Sequence, residues 1–198
     1  MNYEESVKIY HSQCTCGSVN YFSLRCDGNG VYVDKWTCTQ MQKPTTEQLE
    51  TIYQNNIDDI VYQECKEILI ENHEAFFRLP HETNYGYFKC DPQRMNDFEE
   101  IIEGSIAQGL SLNVIRDDFG VSRSMTIAQL QDWVQELRII KQVSFFKKRQ
   151  IEALLQSATG EDKREVTLSI NVSYSDLMYF KTLPAATIEA MLISTIGI

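Results

Sequence analysis

Short alternations of apolar and polar residues mark the first 38 positions of the chain. Val7 and Ile9 share one face of a short apolar run, and two later runs are rich in β-forming residues. Gly28 and Gly30 lie between those later runs, where positive φ angles permit a tight turn. The pattern predicts a small antiparallel sheet with strands at 7–10, 19–24 and 31–36 and a turn at 27–30.

A long stripe of apolar residues with the helical period of about 3.6 residues begins after Pro44. Thr45 and Gln48 have the spacing of a capping box, which predicts the start of a helix. The stripe predicts one continuous helix to about residue 77, and its length would be roughly 45–50 Å at 1.5 Å per residue. We expect a helix of this length to project from the domain or to pack against a partner chain.

Two further helices are predicted in the second half of the chain. Asp91 is the predicted N-cap and Pro92 the first residue of a helix that ends at Gly109. Thr126 and Gln129 form the capping box of the other helix, which keeps its apolar spacing to about residue 158. Because a short element joins the two, we expect an antiparallel helical hairpin.

The remaining patterns complete an α+β fold. Residues 166–174 alternate strictly and predict a half-buried strand, residues 87–90 predict a shorter one, and a loop is expected at 159–162. Residues 185–198 predict a short apolar helix whose end must be buried, for example on a partner. We predict three regions: 1–80, an N-terminal β-hairpin with a long helix; 81–160, a helix–hairpin–helix domain; and 161–198, a C-terminal strand and apolar tail.

Residues 111–124 fit two structures. The segment around Gly120 and Arg123 resembles the turn of a DNA-reading helix-turn-helix. In that structure Arg116 would be buried where the helices pack, at a cost of several kcal/mol for an unpaired charge. Asp117 and Asp118 would face the phosphates. The sequence therefore favours the alternative, a β-hairpin.

The favoured hairpin makes a specific prediction about side-chain directions. Leu112 and Val114 share one face of its first strand, while Asn113 and Ile115 share the other, because the side-chain period of a strand is two. Arg116 then reaches solvent at the turn.

The charge of the chain limits its partners. There are 28 acidic and 18 basic residues, for a net charge of −10, which opposes binding to nucleic acid. The one basic cluster, at 147–149, fits a solvated helix face. No apolar stretch reaches the roughly 18 residues of a membrane span, and no signal peptide is visible in the acidic N-terminus. We expect neither nucleic-acid nor membrane binding, and a protein that stays or is assembled in the cytoplasm.

Four of the six cysteines lie within the first 38 residues. Cys14, Cys16, Cys26 and Cys38 could supply four thiolates to zinc, and His11 is a further possible ligand. A zinc ribbon, however, has two Cys-x-x-Cys knuckles, whereas one residue separates the first pair here and the second pair is far apart. The sequence thus favours reduced cysteines on small strands, with no metal and no cofactor.

No catalytic motif is visible in the sequence. His11, His73 and His81 share no spacing with an acid or a nucleophile, and His73-Glu74 is not followed by the second histidine of a zinc protease. Nucleophile-elbow, phosphate-loop and dinucleotide motifs are also absent from the sequence. We therefore expect no catalytic residues and a protein that is not an enzyme.

The region from about 88 to 158 has a recognisable order: a short strand, a helix, a hairpin and a capped long helix. The segments that define it are Phe88-Lys89-Cys90-Asp91, Leu112-Asn113-Val114-Ile115-Arg116-Asp117-Asp118 and Ser124-Met125-Thr126-Ile127-Ala128-Gln129-Leu130. This order resembles a domain of unknown function common near the C-termini of bacteriophage tail-fibre and minor tail proteins. Residues 43–49 are similar to a Pro-Thr-x-Glu-Leu helix opening often seen in the same proteins. The chain departs from the family at Cys90, inside the first strand, and in its predicted strand beyond residue 160.

The resemblance implies a non-enzymatic virion structural protein of a tailed bacteriophage, in the tail, baseplate or fibre-attachment region. Its partners would be other virion tail proteins and further copies of itself in a homo-oligomer, and it would be assembled in the host cytoplasm. The alternative is a small phage regulator or inhibitor, either a helix-turn-helix DNA-binding protein or a binder of a host protein. An enzyme is the third choice.

Overall fold

The protein has an α+β fold, as predicted, and its described residues form two compact units. A computed structural model describes residues 3–16, 21–27 and 30–194. Unit 1 comprises Met1–Glu64 with Ala158–Glu165, and unit 2 comprises Cys65–Ser157 with Val166–Ile198. Within the described residues, strands occur in three separate two-stranded antiparallel sheets. The predicted division into three sequence regions is a different description and stays a prediction.

The predicted N-terminal hairpin is confirmed in unit 1. Strand β1 (Phe22–Asp27) pairs with β2 (Gly30–Trp36) in antiparallel register, with Phe22 opposite Trp36. Its turn residues 28 and 29, and residues 19 and 20 of the predicted strand, lie outside the described part of the chain.

The predicted strand at 7–10 is wrong, because these residues belong to helix α1 (Tyr3–His11). The charges along the segment favour a helix: Glu4 lies in its first turn and His11 in its last, which complements the helix dipole. Lys8 forms ion pairs of 3.0 Å with Glu4 and 2.6 Å with Glu5, one turn earlier. Val7 is fully buried and packs into a small apolar core with Val33 and Leu49.

The predicted long helix is interrupted and forms two helices, α2 (Thr46–Asn55) and α3 (Ile57–Arg78). Its predicted capping box is present, since Thr45 and Gln48 exchange backbone-to-side-chain hydrogen bonds of 2.9 and 3.2 Å. The interruption falls at Asn56, whose side-chain amide donates to the carbonyl of Ile52 at 2.8 Å. Asparagine side chains compete with helical backbone bonds in this way, which a count of apolar spacing does not detect.

Residues 160–162 of the loop expected at 159–162 belong to a 3₁₀ helix, Gly160–Glu165, that completes unit 1. Asp58 accepts hydrogen bonds from the Gly160 N–H at 2.6 Å and from Lys163 Nζ at 2.9 Å. The Tyr53 hydroxyl donates to Glu161 at 2.6 Å. These bonds attach the 3₁₀ helix to α2 and to the start of α3.

Unit 2 is built on two helices that share one apolar core, α4 (Pro92–Ala107) and α5 (Ile127–Ser157), as predicted. The core centres on the fully buried Trp133, whose ring lies 4.3 Å from that of Phe88 and 4.2 Å from that of Phe98. Both predicted helix starts are confirmed, by the Asp91 cap and by the reciprocal bonds of Thr126 with its partner three residues on. The remaining elements of unit 2 are strands β3 (Pro80–Thr83), β4 (Gly86–Lys89), β5 (Leu112–Arg116) and β6 (Ser122–Thr126) and helices α6 (Tyr174–Thr182) and α7 (Ala185–Ser194).

The predicted strand at 166–174 is wrong. Among the described residues no strand lies beside this segment, and side chains take the place of strand partners. The Leu168 carbonyl accepts a hydrogen bond from Asn72 at 3.1 Å, and the Asn171 carbonyl accepts one from Lys147 at 2.6 Å. The segment ends at Ser173, which caps α6. The sequence pattern did not predict this helix. Of the predicted terminal helix, α7 is present and residues 195–198 lie outside the described part.

Candidate functional site

Three of the four cysteines that the sequence singles out lie together with a histidine in unit 1. The Nε2 or Nδ1 of His11 and the sulfurs of Cys14, Cys16 and Cys38 all lie within 4.8 Å of one another. We call these four residues the Cys–His cluster. Cys26 is not part of it, because its side chain is exposed near the end of β1.

The distances within the Cys–His cluster are close to those of a tetrahedral zinc site. The Cys38 sulfur lies 3.3 Å from that of Cys14 and 3.6 Å from that of Cys16, and Cys16 Sγ lies 3.3 Å from His11 Nε2. Zn–S bonds of about 2.3 Å and Zn–N bonds of about 2.0 Å give tetrahedron edges of roughly 3.8 Å between sulfurs and 3.5 Å between sulfur and nitrogen. These three distances lie within about 0.5 Å of the edges of a tetrahedral zinc site.

Two segments distant in sequence bring the cluster together. Helix α1 ends at His11, and the turn that follows is held by a 2.8 Å hydrogen bond from the Cys14 N–H to the His11 carbonyl. The Cys16 N–H points at Cys14 Sγ, at 3.4 Å. Cys38 follows the end of β2, where the Thr37 N–H donates to the carbonyl of Tyr21 at 2.8 Å. A helix end and a strand end therefore converge on the same point.

Aromatic rings fix the orientation of the His11 imidazole. The ring of Tyr21 stacks on it with centroids 3.6 Å apart, and the ring of Trp36 meets its edge at 5.8 Å. Trp36 is itself held by a 2.8 Å hydrogen bond from its indole N–H to the Met41 carbonyl. The imidazole is buried and faces Cys16 without having to rotate.

The thiol of Cys14 is neutral at physiological pH when no metal is bound. Desolvation and the neighbouring Cys16 and Cys38 thiols raise the pKa of Cys14 to about 11, although the Cys16 N–H partly opposes them. A metal ion would displace the proton of this thiol, because the thiolate is the ligand form of cysteine.

The sequence contained a signal for the observed Cys–His cluster. His11 and Cys14 are separated by two residues, the spacing of a metal-binding knuckle, and Cys16 follows directly. The sequence pattern counted Cys26 as the fourth thiolate, whereas the exposed Cys26 lies outside the cluster and His11 takes its place. Strand pairing, which places Cys26 opposite Val31, decides this and is not visible in a list of spacings.

The second notable surface is the β5–β6 hairpin of unit 2, which confirms the favoured structure for residues 111–124. Leu112 and Val114 lie on its outer face, while Ile115 and Met125 are buried on its inner face. Arg116 is exposed and donates to the Gly120 carbonyl at 2.9 Å. The DNA-reading helix pair is therefore wrong for this segment, because the strand period satisfies both faces without burying Arg116.

The two aspartates at the hairpin turn have structural roles. Asp117 is buried and accepts hydrogen bonds from the N–H groups of Phe119 at 3.1 Å and Val121 at 2.8 Å. Although desolvation raises it, the pKa of Asp117 is lowered on balance by these N–H groups and by Arg123. Asp118 pairs with Arg94 and accepts the N–H of a β4 residue, and so links the turn to α4 and β4.

Large apolar side chains remain in solvent around this turn. Val114 is 70% exposed, Phe119 66% and Leu112 58%, and Val121 is also exposed. The Phe119 ring contacts that of Tyr87 on β4, with centroids 4.9 Å apart. We call Leu112, Val114, Phe119 and Val121 the apolar hairpin surface.

Both histidines of unit 2 are hydrogen-bonded within the fold, His73 buried and His81 half-buried. His73 Nε2 lies 3.2 Å from the hydroxyl of Ser144, which itself donates to the Lys141 carbonyl at 2.7 Å. The histidine is thus the donor to this serine and does not activate it as a nucleophile. His81 Nε2 bonds the Phe76 carbonyl at 2.9 Å. Burial lowers the pKa of both imidazoles.

The chain was compared with protein-family models, curated proteins and solved structures. None of the three comparisons gives a match. The resemblance to phage tail proteins therefore stays a prediction. Among the described helices, none is both long enough and apolar enough to cross a membrane.

Proposed function

We propose that this protein is a non-enzymatic assembly protein that binds a second copy of itself through the apolar hairpin surface. The observation that supports the proposal is the exposure of Val114 and Leu112 on the outer face of a well-formed hairpin. Monomeric proteins rarely leave large apolar side chains grouped in solvent, and such groups commonly mark interfaces.

The charge of the hairpin favours another copy of the chain as the occupant. The outward positions of β5 and β6 carry no acidic residue, although the chain as a whole has a net charge of −10. Two copies can thus approach each other on this face with less repulsion than elsewhere. Because β5 pairs only with β6 among the described strands, its other edge can also accept an antiparallel copy of itself about a two-fold axis.

We further propose that the protein self-associates in the tail, baseplate or fibre-attachment region of a tailed phage virion. Its support is the order β4, α4, β5, β6, α5, which is the order that the resemblance implies for residues 88–158. Tail structures are built from repeated copies, which fits a self-associating chain. Mass spectrometry of purified phage particles tests this role, and particles without peptides of this chain would contradict it.

Light scattering on the full chain tests the self-association. We expect the wild-type protein to be a dimer and Val114→Glu to be a monomer, because the glutamate would be buried beside its counterpart. Leu154→Glu is the matched control, since Leu154 is 56% exposed on α5, outside the hairpin. A monomeric wild type would refute the proposal, as would a Val114→Glu protein that remains dimeric.

A further inference from the structure

We infer that the Cys–His cluster binds one zinc ion in a closed, four-coordinate structural site. The ligands are the imidazole of His11 and the thiolates of Cys14, Cys16 and Cys38. Cysteine and histidine together favour zinc among the common biological metals, and four protein ligands leave no open position for a substrate. The inference concerns unit 1 and does not depend on the proposed self-association of unit 2.

The arrangement fits a metal ion better than a disulfide. Cys38 Sγ lies at nearly equal distances from two sulfurs, 3.3 Å from Cys14 and 3.6 Å from Cys16. A disulfide would join only two of the three sulfurs and would not involve the imidazole. Zinc uses all four donors at once, and the N–H of Cys16 directed at Cys14 Sγ would stabilise its thiolate.

The surroundings of His11 preorganise the imidazole for metal binding. The imidazole is held by the stacked Tyr21 ring and the edge of Trp36, so its nitrogen is fixed before an ion arrives. Little reorganisation is then needed on binding, which favours affinity.

Zinc would connect the end of α1 to the end of β2. The apolar core of unit 1 that holds the same elements is small, with Val7, Val33 and Leu49 as its buried members among the described residues. Small cores are commonly supplemented by a metal, and binding to such a site is coupled to folding. Removal of zinc is therefore expected to loosen the packing of α1 on the β1–β2 hairpin.

The test is the metal content and zinc affinity of the full chain. Protein purified without chelators should contain one zinc per chain by elemental analysis. Removal of one ligand in Cys14→Ser or Cys38→Ser should weaken Zn²⁺ binding by more than about 100-fold, since even indirect supporting groups cost about 10–100-fold. Cys26→Ser is the matched control and should bind as the wild type does, because Cys26 lies outside the cluster.

A variant that keeps four ligands distinguishes loss of metal binding from loss of folding. His11→Cys should retain one metal per chain, and its Co²⁺ complex should show stronger thiolate charge-transfer absorption than the wild-type complex. His11→Ala should lose affinity.

Three results would overturn the inference. They are wild-type protein that takes up no Zn²⁺, equal loss of binding in Cys26→Ser and Cys38→Ser, and a Cys14–Cys38 disulfide in protein freshly purified under reducing conditions. None of them bears on the self-association measured by light scattering.

Discussion

At the scale of single residues, a glycine supports the turn of the apolar hairpin. Gly86 has φ of +126°, and a Cβ built on it would lie 2.5 Å from Arg123 Nε and 2.8 Å from Asp117 Oδ2. The Arg123–Asp117 pair thus packs directly on the glycine backbone of β4. The sequence predicts the hairpin that holds Asp117 and Arg123 but not the packing of this pair on Gly86, because Gly86 belongs to a different hairpin.

Substitution of Gly86 with alanine should destabilise unit 2. Both the positive φ and the close approach of Arg123 oppose a Cβ, and we expect a loss of about 1–3 kcal/mol in the free energy of unfolding. Gly104→Ala is the control, since that glycine lies within α4 with open space around it. It should gain up to about 1 kcal/mol. Urea unfolding measures both, and equal effects would show that the Asp117–Arg123 packing is unimportant.

At the scale of elements, helix-capping residues predicted structure better than short alternations of apolar and polar residues did. The capping residues Thr45, Asp91 and Thr126 begin helices where predicted. The alternations at 7–10 and 166–174 predicted strands that do not form, because a strand needs a neighbour that the pattern cannot reveal. The predicted hairpin is confirmed at 112–126, because its turn residues and its buried Ile115 and Met125 specify the same strand register.

A buried carboxylate joins three elements of unit 2 and was not predictable. Glu136 of α5 is fully buried and accepts from the backbone N–H of Asn84 at 2.9 Å, from its side chain, and from Lys181 of α6 at 2.7 Å. Lys181 also reaches Asp132 at 2.7 Å. Helical spacing marked the apolar neighbours of Glu136 but gave no reason to bury the glutamate itself.

Removal of Lys181 should therefore be costly. Lys181→Met leaves the buried Glu136 carboxylate without its cation, and we expect a loss of about 3 kcal/mol in the free energy of unfolding. Arg138→Met breaks the exposed 2.7 Å pair with Glu99 and should cost less than about 1 kcal/mol. Thermal and urea unfolding distinguish the two, and equal costs would contradict the structural role given to Glu136.

At the scale of the whole molecule, acid should destabilise unit 2 through His73, which is buried, and His81, which is half-buried. Burial lowers the pKa of His73, with Lys148 adding to the effect, and burial also lowers the pKa of His81. The folded state then keeps both imidazoles neutral while the unfolded state binds protons below about pH 6.5. Stability is therefore full above that pH and is lost as pH falls, by up to about 1.4 kcal/mol per pH unit for each histidine.

This pH dependence is measured best in a Trp36→Phe variant, in which Trp133 fluorescence reports on unit 2 alone. His73→Gln/His81→Gln should flatten the dependence of stability between pH 6.5 and 5. A slope unchanged by the double substitution would contradict the assignment and point to the carboxylates, which lose their ion pairs at lower pH.

The candidate zinc site shows what sequence can and cannot supply at this scale. Cys14, Cys16 and Cys38 were identifiable as thiol ligands, and His11 as a further candidate, from residue type and proximity. Their selection over Cys26 depends on where α1 ends and on how β1 pairs with β2. Tertiary pairing of this kind decides the ligand set, and the sequence alone favoured a metal-free protein.

Native mass spectrometry of the full chain, purified without chelators, tests the central claim that this is a zinc-bearing, self-associating assembly protein. One spectrum reports both the number of chains and the number of bound ions. We predict a dimer that carries two zinc ions, which becomes a zinc-bearing monomer in Val114→Glu and loses zinc in Cys38→Ser. A spectrum of metal-free monomers from the wild-type protein would contradict the claim.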